Sequence, residues 1–217
     1  LLGSVQVVVK QRVLHVATNL HGTELRGPGL ALSRLQLAID TTDLAGKVQL
    51  AVENLQAAGQ RFARVALTAQ GDKRLVQLHL DGEGPEGVAL KLALTAKPEL
   101  AGGGGVLALQ GAKLTGLVAD LTALQLRRAG AQLALEQPAQ LRLSKLPEAP
   151  VAEVNALALS LGSLRLRIGG RYDTQGQKVR ASIDASNFDA QELLRLLTGA
   201  ATAPKSQLAL HVELAGT

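Results

Sequence analysis

Residues 62–97, FARVALTAQGDKRLVQLHLDGEGPEGVALKLALTAK, decide the fold class. The stretch runs apolar, polar, apolar three times: Val65, Leu67 and Ala69; then Val76, Leu78 and Leu80; then Val88, Leu90, Leu92, Leu94 and Ala96. Between them stand mostly polar or small residues, among them Thr68, Gln77, His79, Asp81, Lys91 and Thr95. A period of two places alternate side chains on opposite faces of an extended strand, so each run has one greasy and one wet face. Breaks fall at Gly71-Asp72 and between Gly82 and Gly87, where Gly supplies turn dihedrals and Pro85 cannot join a ladder. Runs joined by such short loops read as an antiparallel meander.

The pattern extends in both directions. Upstream, Val5, Val7 and Val9 open one strand, and Leu14, Val16, Thr18 and Leu20 form a second. Gly22, Gly27, Pro28 and Gly29 break the chain, after which Leu35, Leu37 and Ile39 share a face, as do Val48, Leu50 and Val52. Downstream, the glycine run from Gly102 to Gly105 reads as a flexible loop. A phosphate cradle would require a Lys and a helix straight after it, and another strand with Leu107 and Leu109 follows instead. Then come Leu121, Leu124 with Leu126, Leu133 with Leu135, and Leu141 with Leu143. Leu121 and Leu124 are out of step, which predicts a turn or bulge between them.

After the PEAPV connection, Leu157 and Leu159 precede Leu164, Leu166 and Ile168; a loop over Tyr172–Gly176 then leads back into Val179, Ala181 and Ile183. Here the period changes. Asn187-Phe188-Asp189 offers an N-cap, and Leu193, Leu194, Leu196 and Leu197 predict a short helix over 190–197 that caps an end of the sheet. Leu208, Leu210, Val212 and Leu214 form a last strand. The expectation is an all-β chain of about fifteen strands with one short helix, its span 1–217 forming one domain without an internal boundary. It begins at Leu1 and stops in mid-pattern at Gly216-Thr217, as a piece cut from something longer would.

Composition narrows the class. Leucine supplies 44 of 217 residues, beside two Phe, one Tyr and no Trp or Met. A compact sandwich fills its centre with aromatics, and an outer-membrane barrel carries aromatic girdles, so both are disfavoured. The net charge of +5 comes from Lys and Arg read as scattered over outward strand positions. Nucleic-acid binding would want basic clusters and stacking aromatics, which leaves a solvated face with at most weak attraction to an anionic membrane surface. Without Cys there is no disulfide framework and no thiolate metal site.

Reactive groups are few. His15, His21, His79 and His211 are the only histidines, each on the polar side of its strand. The first two, six residues apart, would lie roughly 20 Å apart along a strand, too far to share a metal. Asp40, Asp43, Glu83, Glu86 and Asp173 fall mostly in turns, and no serine sits in a GxSxG context. The reading is a protein that is not an enzyme and uses no cofactor or metal.

Fifteen strands at about 4.8 Å spacing make a sheet about 70 Å long whose greasy face must be covered. Folding the sheet over itself as a trough covers it and leaves an apolar lumen. The predicted lining is Leu14, Val16, Leu35, Leu37, Ile39, Val48, Leu50, Val52, Val65, Leu67, Val76, Leu78, Leu80, Val88, Leu90, Leu92, Leu94, Leu107, Leu109, Leu133, Leu135, Leu141, Leu143, Leu164, Leu166, Ile168, Val179, Ile183, Leu208, Leu210 and Val212. Small and aliphatic walls suit flexible acyl chains, each methylene of which gains about 0.8 kcal/mol on burial. A β-solenoid stalk would instead show a regular coil-length repeat, whereas the spacing here varies over about 10 to 13 residues per strand.

The Leu-x-Leu strands, the segment LEQPAQLRL from Leu135 to Leu143, and ASIDASNFDAQELLRLLTG leading into SQLALHVELAGT resemble the TamB family of AsmA-like proteins. That resemblance covers essentially the whole chain as an internal piece of a longer protein. It implies a bent β-sheet, the "β-taco", in the periplasm of a diderm bacterium, with an inner-membrane anchor outside this segment and an outer-membrane partner like TamA. Two roles come with it: a bridge-like conduit carrying phospholipids between the membranes, and assistance in assembling outer-membrane proteins such as autotransporters.

Overall fold

The computed structural model describes residues 2–10, 13–27, 30–42, 45–57, 60–102, 113–198 and 207–216. Fourteen strands appear among them: β1 (Leu2–Lys10), β2 (Val13–Gly27), β3 (Leu30–Thr42), β4 (Ala45–Ala57), β5 (Gln60–Gly71), β6 (Val76–Glu83), β7 (Ala89–Ala101), β8 (Lys113–Arg128), β9 (Ala131–Leu135), β10 (Ala139–Ser144), β11 (Val151–Leu161), β12 (Leu164–Asp173), β13 (Lys178–Asp189) and β14 (Gln207–Gly216). A 3-10 turn spans Pro85–Gly87, and one helix, α1, spans Ala190–Thr198. All fourteen strands belong to one antiparallel sheet in which neighbours in sequence are neighbours in space. The exception is instructive. β9 and β10 both lie between β8 and β11, at opposite ends of them, so they form one strand position interrupted at Glu136-Gln137-Pro138. Pro138 has no N–H to give the ladder, and the Glu136 N–H bonds the Ala158 carbonyl at 2.9 Å across the gap.

Several boundaries differ from the sequence reading. Gly22 lies inside β2 and does not break it. Its hydrogen atom leaves room for Leu25: a Cβ there would meet the Leu25 Cδ1 at 3.0 Å. Leu121 and Leu124 share one strand, β8, and the expected bulge falls at Thr122, opposite a register shift between Ala93 and Leu94. Val88 stands outside the ladder, in the cap of the 3-10 turn, where its N–H bonds the Pro85 carbonyl at 3.1 Å. Leu107 and Leu109 lie outside the described residues.

The meander is curled over its apolar face, and the slips in its alternation run in a line. In four consecutive strands the inward residues step by three instead of two: Gly22 to Leu25, Leu32 to Leu35, Val52 to Leu55, and Phe62 to Val65. Left-handed residues absorb two of the slips, Glu24 at φ 51° and Asn54 at φ 51°. The Asn54 amide also donates to the Ser33 hydroxyl at 2.8 Å, and that hydroxyl donates to the Glu53 carbonyl at 3.2 Å, tying β3 to β4 along the line. The crease returns in β11, with Ala156 at φ 50°, and in β13, with Asn187 at φ 55°. An extra residue of this kind bends its strand and raises the local twist, so an aligned series bends the sheet.

Burial is uneven along the curl. Leu161 (1% exposed), Leu164, Ala131, Ala185 and Leu196 form a packed cluster, with Leu126, Leu133, Leu166 and Leu193 against it. The cluster forms because α1 lies back over the apolar face, turning Leu193 and Leu196, three residues apart on one side, toward the strands. Arg128 of β8 holds the far end, donating to the Leu197 carbonyl at 2.7 Å and the Thr198 carbonyl at 3.3 Å, two of the acceptors that a helix end leaves open. Over β2 to β7 no described element covers the face. Most leucines there are half-buried, shielded by their neighbours and the curl, while Leu32, Val52 and Ala96 are buried and Leu30 and Leu100 are exposed.

Candidate functional site

Register turns a row of patterns into a surface. One row of cross-strand partners runs through every position of the sheet: Val7, Val16, Thr41, Gly46, Gly71, Val76, Ala96, Ala119, Leu141, Val154, Gly170, Ala181 and Leu214. No charged residue interrupts it. At about 4.8 Å per strand its length is about 58 Å. Beside it run Ile39, Val48, Ala69, Leu78, Leu94, Leu121 and Ala139, and then Leu20, Leu37, Leu50, Leu67, Leu80, Leu92 and Leu124. A fourth row joins Leu35, Val52, Val65, Gly82, Leu90, Leu126, Leu133, Leu161 and Leu164. In the second half, Leu135, Leu159, Leu166, Ala185 and Leu210 align, as do Leu157, Ile168, Ile183 and Val212.

Most of the expected lining therefore falls on these rows. Leu14 pairs with Val9, Leu143 with Leu117 and Ala152, Val179 with Tyr172, and Leu208 with Phe188, in continuations of the same alternation. Val88 is off the ladder, and Leu107 and Leu109 lie outside the described residues. The sequence reading missed Leu25, Leu32, Leu55 and Phe62, which extend the face past the crease. Their signal was present as an apolar spacing of three in four successive strands. Phe62 leans over Gly82, whose missing side chain leaves the ring space: a Cβ there would lie 3.5 Å from the Phe62 Cδ1.

The opposite face carries the polar groups. Arg34 pairs with Glu53 at 3.3 Å, Arg171 with Glu153 at 2.6 Å and Arg165 with Glu136 at 2.5 Å, while the Gln70 amide donates to Gln77 at 3.2 Å. Across β13 and β14, His211 bonds Asp184 through Nδ1 and faces Glu213 through Nε2 at 3.4 Å. The hydrogen bond and charge of Asp184 hold the imidazole above its usual pKa, with a smaller push from Glu213. Among the described residues, no polar or charged residue is buried and no three metal-ligating side chains converge. Among the described residues the site is an aliphatic surface, continuous across the strands and open over β2 to β7. Among the described residues, no helix is long and apolar enough to cross a membrane.

Comparison with family models, with curated proteins and with solved structures finds no match to this chain.

Proposed function

We propose that the trough is a conduit for phospholipid acyl chains, as in the bridge-like lipid transport that the resemblance to TamB suggests, working in the periplasm between an inner-membrane anchor and an outer-membrane partner. The observation that carries this reading is the uncovered apolar face. The chain exposes 13704 Å². A compact monomer of 22.5 kDa would expose about 9,500 Å². Half-buried leucines in unbroken rows offer an acyl chain the same hydrocarbon contact that it has in a bilayer. Each methylene is worth about 0.8 kcal/mol against water but close to nothing against lipid, so a chain slides between bilayer and trough without a deep trap. A passive path needs that balance.

A second reading, the shielding of client strands during outer-membrane protein assembly, draws on β14. Among the described residues this strand pairs only with β13, and it leaves Leu210 55% and Leu214 52% exposed. An extended client segment would add at that edge through backbone hydrogen bonds.

Lipid exchange between donor and acceptor vesicles separates the two. Leu78→Asp and Leu92→Asp put a charge in two neighbouring rows, opposite Leu94 and Leu80, and are expected to block exchange. Lys91→Gln changes the outer face opposite Asp81 and is expected to leave it intact. Far-UV circular dichroism checks that each variant folds, because an unpaired charge on an apolar face is costly. Equal exchange by all three folded variants overturns the conduit. Binding of an alternating strand peptide by a parent that carries no lipid would favour the client reading.

A further inference from the structure

We infer that the trough holds its lipids in one orientation, with anionic phospholipid headgroups along one rim; the inference rests on the conduit reading and gives it a substrate class. The sheet has two rims, formed by alternate hairpin turns. One of them gathers most of the lysines: Lys10 ends β1, Lys73 sits in the β5–β6 turn beside Arg74, Lys113 opens β8, Lys145 follows β10 and Lys178 opens β13, while Lys47 stands third in β4 and Lys97 four residues before the end of β7, both on the outer face. Seven of the nine lysines thus lie at or near one rim. Of the others, Lys91 lies toward the opposite rim, opposite Asp81, and Lys205 lies outside the described residues.

Most described carboxylates on the same rim bond to groups other than lysine, with Lys73 and Lys145 adding a smaller attraction to Asp72 and Asp173. Asp72 accepts the N–H groups of Arg74 at 2.7 Å and Leu75 at 2.9 Å, and Asp173 accepts those of Gln175 at 3.1 Å and Gly176 at 3.3 Å. Glu99 faces Arg142 at 3.5 Å, and Asp40 faces His15 at 3.6 Å and stands opposite Lys47 in the register; among the described residues this leaves Glu148. Among the described residues no lysine takes part in an ion pair, and Lys47, Lys73, Lys97, Lys113, Lys145 and Lys178 are exposed. The opposite rim is built differently: its cations are arginines, with Arg26 paired to Glu24 at 3.5 Å, Arg127 bonded to Gln132 at 3.1 Å and Arg128 occupied by α1.

Turns on one rim recur every second strand, about 10 Å apart, close to the screening length of physiological salt. Their ammonium groups therefore act as one positive edge beside an apolar floor. Acyl chains on the floor with headgroups at this edge match both halves of an anionic phospholipid. A zwitterionic headgroup gains much less from the edge.

The test loads the purified chain from vesicles of phosphatidylglycerol or of phosphatidylcholine with identical acyl chains, removes the vesicles, and quantifies the retained lipid by mass spectrometry. The parent is expected to retain phosphatidylglycerol about tenfold over phosphatidylcholine at low salt. The preference should collapse at about 0.5 M salt, where screening shortens to about 4 Å. Replacing Lys47, Lys73, Lys97, Lys113, Lys145 and Lys178 with Gln should abolish the preference without lowering phosphatidylcholine loading. Replacing Arg61 and Arg127 on the other rim should not. Equal retention of the two lipids by the parent, or a preference that survives in the lysine variant, overturns the oriented-headgroup inference and leaves the conduit standing. Retention of neither lipid overturns both.

Discussion

If the trough is open over β2 to β7 and packed beneath α1, leucines in the two halves must differ in what they contribute to stability. Leu161 and Leu67 make the comparison. Leu161 is 1% exposed, inside the cluster that α1 closes. Leu67 is half-buried between Leu50 and Leu80, with no described element above it. Truncation to Ala removes about three methyl or methylene groups, about 2.4 kcal/mol of transfer energy for a side chain that is wholly buried. Leu161→Ala also leaves a cavity, which brings the expected loss to about 3 to 5 kcal/mol. At Leu67 only about half the surface was removed from water and no cavity closes over the gap, so the expected loss is about 1 kcal/mol. A sheet in which each strand touches only its neighbours unfolds piecewise, so hydrogen exchange read by mass spectrometry is the suitable assay, strand by strand. Loss of about 3 kcal/mol of local protection at Leu67 would refute the open trough. It would mean that the face is packed as a solid core, and the stalk reading would replace the conduit.

Two further outcomes follow from the crease and from the β14 edge. Asn54→Gly keeps the left-handed conformation available, whereas Asn54→Val should cost about 1 to 2 kcal/mol more in chemical denaturation; equal stability of the two would show that the crease does not depend on this residue. His211 has a raised pKa in the folded sheet, so its pairing with Asp184 stabilises β14 fully below pH 6.5 and is lost as pH rises through the higher folded value. Amide exchange in β14 should therefore speed up from mildly acidic to mildly alkaline pH, beyond the intrinsic rate change, and His211→Gln should remove that difference. An unchanged pH dependence in the variant would count against the pairing.

Much of this was legible from residues alone because period-two alternation survives translation into structure almost unchanged. The helix was signalled by the change of period at Leu193 to Leu197, and the β8 bulge by the misfit of Leu121 and Leu124. Gly22 misled because a glycine looks the same whether it breaks a strand or makes room for a side chain, and only the position of Leu25 decides which. Leu32, Leu55 and Phe62 were missed for a related reason. A single step of three in one strand looks like noise, and it becomes a crease only when four such steps stand side by side.

That the chain is a meander of one-sided strands can be read from its residues, because side-chain alternation is a local property of extended backbone. Which half of the greasy face is covered is a matter of three-dimensional packing, since it depends on α1 reaching back over strands distant in sequence. The lysines show the same division. Along the chain they look scattered, as the composition suggested, but hairpins fold every second turn to the same side of the sheet. Residues spaced irregularly over 169 positions, from Lys10 to Lys178, are thereby gathered toward one edge.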